Sequence, residues 1–113
     1  MSAQKAKGDA FERDVVAVLR AHGHPHAERA LRLGAHADYG DITGVPGFHI
    51  ECKNQAKIEL GAWLHLAVLE AWRIDSRPTP VLVVKRRAKP AEKAYVVLQL
   101  EDFADLIADG RVA

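Results

Sequence analysis

The sequence predicts a single α/β domain, a central mixed β-sheet flanked by helices in the order α-β-β-β-α-β-β-α. Three observations predict it: two stretches repeat apolar residues at the helical period, two are continuous β-branched runs, and turn residues separate them. Residues 8–22 place Phe11, Val15, Val18, Leu19 and His22 on one stripe, and Gly23 with Pro25 ends that helix. Residues 26–31 are assigned a first strand, and residues 33–40 a loop with two glycines and no periodicity. Residues 41–44 and 48–54 read as short strands joined by the turn Val45-Pro46-Gly47. Residues 60–76 form the longest helix, with Leu60, Leu64, Ala67, Ala71 and Ile74 on one face and Leu66, Leu69 and Trp72 elsewhere. A helix apolar on nearly all sides needs cover on more than one side, so a sheet beneath it and a second subunit above are expected. Residues 81–84 and 95–98 read as strands buried on both faces. Glu101 and Asp102 open a closing helix, where acidic side chains favour the N-terminal dipole.

Composition narrows the class. A chain of 113 residues with 49% hydrophobic side chains is one domain long and can build a core. Eight glycines, five prolines and 27% charged residues fit neither a disordered nor a collagen-like chain. No apolar run reaches the roughly 18 residues of a membrane span, and the polar residues 1–9 do not read as a secretory leader. One cysteine forms no internal disulfide and no zinc cage, which suits a reducing cytoplasm. The net charge of +1 hides a basic cluster, Lys85, Arg86, Arg87, Lys89 and Lys93, and an acidic one, Glu101, Asp102, Asp105 and Asp109. The basic cluster fits a nucleic-acid partner and fits a solvated loop equally well.

The chemistry concentrates in residues 41–53. Alternation along a strand puts His49, Glu51 and Lys53 on one face and Phe48, Ile50 and Cys52 on the other. The turn at residues 45–47 folds Asp41 back towards Glu51. Two neighbouring carboxylates repel, and a hard divalent cation resolves the repulsion. Magnesium takes oxygen ligands, one or two of them carboxylates, and the Cys52 backbone carbonyl is a further donor. A cation so held activates water and neutralises phosphoryl charge, with Lys53 beside it to orient the water or stabilise the transition state. Metal-dependent phosphodiester hydrolysis follows as the reaction class. Glu12 falls at the edge of the first helix's buried stripe, where a metal-bound water or Lys53 would serve as its partner. The same residues also read as a loop aspartate, an exposed Glu51–Lys53 pair and a partly exposed helix glutamate. Cys52 reads as a small core hydrophobe. His22, His24 and His26 cluster in a turn without a completing ligand at zinc spacing. Trp63 and Trp72, at helical spacing, read as core or subunit interface.

Lys7-Gly8 with Phe11-Glu12, then Gly40-Asp41-Ile42, then Glu51-Cys52-Lys53, resembles the PD-(D/E)XK nuclease superfamily. Within it the chain is most similar to archaeal-type and phage Holliday junction resolvases, over about residues 5–103. The resemblance implies a restriction-endonuclease-like domain and a homodimer, joined through the 60–76 helix, that cuts four-way DNA junctions with Mg2+, for which Mn2+ substitutes. It implies Glu12, Asp41, Glu51 and Lys53 as catalytic, with Asp41 and Glu51 as metal ligands; the residues themselves add the Cys52 carbonyl as a further ligand and Glu12 reaching the metal through water. It also implies a phage or prophage origin and a cytoplasmic location, the host's if phage-encoded. Gly40 stands where the family commonly has proline. Asp38 is the rival to Asp41 should the register differ. Candidate DNA contacts are Lys5 and Lys7 on a flexible basic arm of residues 1–7, Arg29, Arg32 and His36 around the first loop, Gln55, and Lys85, Arg86 and Arg87. His49 would contact DNA or tune the site from beside Glu51. Duplex ends, flaps or mismatches are alternative substrates, and a non-catalytic DNA-binding module on the same scaffold is a third reading.

Overall fold

A computed structural model describes residues 2–30 and 40–110. Arg32, His36 and Asp38 lie outside the described residues. Helix α1 (Ala3–Ala21) starts five residues before the expected residue 8, so Lys5 and Lys7 sit on its opening turns and not on a flexible arm. The reason is local. Ala, Gln and Lys are strong helix formers, and the Ser2 hydroxyl caps the end by accepting the Lys5 N–H at 3.1 Å. Strand β1 shrinks to Glu28–Arg29, followed by β2 (Ile42–Thr43) and β3 (Phe48–Lys53). Helix α2 (Leu60–Trp72) leads to β4 (Thr79–Val84), a 3₁₀ turn (Ala91–Lys93), β5 (Tyr95–Val97) and α3 (Leu100–Ala108).

The five strands lie in the order β1-β2-β3-β4-β5. All neighbours are antiparallel except β3 and β4, which run parallel with Phe48 opposite Thr79 and Lys53 opposite Val84. The expected mixed sheet and element order are present, in the architecture of a restriction-endonuclease-like fold. A parallel pair needs a crossover, and α2 provides it. Period-two alternation along β3 then supplies two different faces. Phe48, Ile50 and Cys52 meet the cluster of Phe11, Val15, Val16, Ala27 and Ile42 under α1. On the other side Leu82 and Val84 pack with Trp63 and Ala67 of α2. Each fully buried Phe, Leu or Ile contributes about 1.5–3 kcal/mol.

Three burial expectations change. Among the described residues β5 borders β4 alone, so Tyr95 and Val96 of this edge strand are exposed and not buried on both faces. The buried stripe of α2 is Trp63, Ala67 and Ala71, whereas Leu60 at its open N-terminal end is exposed, as are Leu66, Leu69 and Trp72. On α1 the buried set is Phe11, Val15 and Val16, and His22 is an exposed C-cap.

Candidate active-site cleft

β2 pairs with β3 only as far as Ile42 opposite Ile50, which among the described residues leaves the far half of β3 without a strand on that side. Asp41 finishes the ladder. Its N–H donates to the Ile50 carbonyl at 2.8 Å, and its Oδ2 accepts the Cys52 N–H at 2.7 Å. The carboxylate is thereby fixed at the strand edge and buried. Gly40 makes this possible. Its φ of +76° is closed to proline, and a Cβ there would stand 2.8 Å from the Ile50 carbonyl oxygen. The departure from the family's proline is thus a requirement of this backbone.

Beyond Asp41 opens a cleft of about 530 Å³. α1 lines one wall with Gln4, Lys7, Gly8 and Glu12; Asp41, Glu51, Cys52 and Lys53 form the floor; Asn54, Gln55, Ala56 and Lys57 form the rim. All four residues of the sequence constellation therefore border one space. Glu12 pairs across the fold with Arg29: its Oε1 accepts from Arg29 Nε at 3.1 Å. Arg29 also donates to Asp9 Oδ1 at 2.8 Å, so this expected DNA contact is engaged in a pair of internal salt bridges. Desolvation is the largest single influence on Asp9 and raises its pKa. The Lys5 hydrogen bond and the charges of Lys5, Arg29 and Arg13 together outweigh it, leaving the carboxyl below its ordinary range.

Lys53 sits at the end of β3 with its ammonium 5.7 Å from the centroid of the Trp63 ring, within cation–π range. The Lys53 carbonyl accepts the Lys85 N–H at 2.9 Å, so the basic loop leaves the sheet at the end where the cleft opens. Within that loop the Lys85 ammonium donates to the Arg86 and Lys89 carbonyls, and Arg86 lies 4.8 Å from the Tyr95 ring centroid. Arg87 is exposed. Gln55 and Lys7 line the cleft directly, while Lys5 pairs with Asp9 at 3.3 Å.

The structure adds residues that the sequence did not single out. Asp9 orients Arg29. Lys57 reaches the cleft rim and pairs with Glu59 at 3.4 Å. His49, which the sequence already placed beside Glu51, is fully buried beneath α2 and not on a DNA-facing surface, and it brings in Glu70: its Nε2 is 3.2 Å from Glu51 Oε1 and 3.5 Å from Glu70 Oε2. The signal for Glu70 was present: it is the one carboxylate in the thirteen residues of α2.

An acidic strand edge, a helix glutamate and a lysine around one cleft of a restriction-endonuclease-like sheet define the PD-(D/E)XK class of nuclease. The family model described as "Phage putative PDDEXK endonuclease" matches residues 3–111, and the chain belongs to that family. Neither a curated protein nor a solved structure matches it. No helix among the described residues is long and apolar enough to cross a membrane.

Proposed function

We propose that this nuclease is a magnesium-dependent DNA endonuclease that resolves four-way junctions as a homodimer during recombination and repair, in the cytoplasm of a phage host. The observation that carries the reading is the convergence of Glu12, Asp41, Glu51 and Lys53 on one cleft, in the family's order. The donor set suits a hard cation. Asp41 and Glu51 offer carboxylate oxygens, and the alternation of the ladder turns the Cys52 carbonyl to the same strand edge as its N–H, where Asp41 sits. When bound, magnesium supplies Lewis acidity and a water of lowered pKa.

The chain's own groups do the rest. Asp41 is immobilised by the Cys52 N–H and needs little reorganisation. Lys53 stands where an ammonium stabilises charge that develops on phosphate. Glu12, tethered by Arg29, faces the cleft from the opposite wall and would hold an outer water of the metal. Lys7 and Gln55 on the walls and Arg87 on the loop beside the cleft suit phosphate contact, which positions DNA without reading its sequence. Exposed Leu66, Leu69 and Trp72 on α2 favour a second copy across that helix, and a two-fold pair of sites suits a near-symmetric junction.

Labelled four-way junction and matching linear duplex, incubated with protein and magnesium, test the reading. Paired symmetric cuts confined to the junction are expected. Equal cutting of both substrates replaces junction selectivity with a general endonuclease, and undiminished activity in Glu51→Ala refutes the site. Salt-sensitive binding with no cleavage in any divalent metal would identify a non-catalytic module.

A further inference from the structure

We propose that His49, Glu51 and Glu70 form a second divalent-cation site, with one nitrogen and two oxygen donors, that selects zinc-like transition ions over magnesium. The three ligand atoms lie within 4.8 Å of one another. His49 Nε2 stands 3.2 Å from Glu51 Oε1 and 3.5 Å from Glu70 Oε2. Donors about 2.0–2.1 Å from a tetrahedral ion stand roughly 3.4 Å apart, so these spacings suit a shared cation.

The imidazole supplies the independent observation. Its side chain is fully buried, and neither ring nitrogen has a hydrogen-bond partner among the described residues, although Nε2 points at two carboxylates. Buried polar atoms are nearly always satisfied, and a metal on Nε2 satisfies this one. An imidazole nitrogen among the donors favours zinc and its neighbours in the later transition series, whereas magnesium prefers oxygen alone. Three protein donors leave a fourth position open, and Glu70, at 31% side-chain exposure, provides the entry from solvent. Glu51 is shared with the proposed magnesium cleft, but the site stands on these three donors and does not depend on the nuclease reading.

Calorimetric titration of metal-free protein with zinc chloride tests it in the wild type, Glu70→Gln and Asp41→Asn. Glu70→Gln is expected to weaken the tightest zinc event about tenfold or more, since even an outer partner of a metal ligand is worth that much. Asp41→Asn is expected to retain the event, because Asp41 belongs to the magnesium cleft. The exposed His22, His24 and His26 are common to all three proteins, so any zinc they take cancels in the comparison. Equal zinc affinity in wild type and Glu70→Gln overturns the proposal. Should Glu70→Gln fail to fold, the ring nitrogen resonances of His49 in the wild type decide: they shift on zinc saturation if the site exists. If they stay fixed, the cluster is a side-chain contact without a metal, and the proposal is overturned. Magnesium-dependent cleavage is a separate readout, so failure of the zinc site and failure of the nuclease reading remain distinct results.

Discussion

The two faces of the sheet carry opposite loads. Under α1 the buried residues are Phe11, Val15, Val16, Ala27, Ile42 and Ile50, without a charged group among them. Under α2 a smaller apolar set, Trp63, Ala67, Leu82 and Val84, shares its face with His49, Glu51 and Lys53. β3 contributes to both through alternation alone, so three consecutive residues, Ile50, Glu51 and Cys52, divide between core and chemistry. Stability is thus concentrated on one side of a strand and reactivity on the other, and substitutions on the two sides should fail in different ways.

The sharpest break comes from Asp41→Asn. Its amide oxygen still accepts the Cys52 N–H, so melting should change little while cleavage falls roughly 10³-fold, the scale on which loss of preorganised charge stabilisation acts. Thermal melts beside single-turnover cleavage would show it, and a parallel collapse of both would erase the distinction between the faces. Phe11→Ala is the mirror case. A side chain 2% exposed at the centre of the α1 cluster leaves a cavity worth about 3–5 kcal/mol, read by urea unfolding. Trp72→Glu, on the outer side of α2, should alter monomer stability by no more than about 0.5 kcal/mol yet convert a sedimenting dimer to monomer. The same mass for both proteins removes the proposed interface.

The smallest effect belongs to Asp9. Its folded-state pKa lies below its ordinary value, so its contribution is fully present above the ordinary carboxylate pKa of about 3.9 and is lost below it, as pH falls through the lower folded-state value. Asp9→Asn should therefore melt slightly below the wild type at pH 7, and the gap should close on acidification. A gap that widens towards low pH would contradict the sign.

Much of this architecture is legible in the residues. Val81–Val84 is a continuous valine-rich run and central, Val45-Pro46-Gly47 is a turn by composition, and Glu51-Cys52-Lys53 shows its two-sided character by parity alone. What escapes is what distance or topology decides. Arg29 reaches Glu12 across seventeen positions, and no local pattern announces that pairing. The exposure of Tyr95 and Val96 follows from an edge position that their apolar, β-branched sequence cannot express. The early start of α1 rests on propensity and a serine cap, with no apolar period to mark it. Glu70 was hidden by its company, a single carboxylate in a run otherwise read for burial.

Phe11 and Glu12 are adjacent on α1, yet one anchors the interior and the other borders the cleft. A rigid rod transmits displacement along its length, so any repacking that moves Phe11 carries Glu12, Gly8 and Gln4 with it. Enzymes that hang their reactive groups on loops can tolerate drift in the interior. In this molecule the wall of the cleft is the reverse side of the core's main helix, and the two must change together.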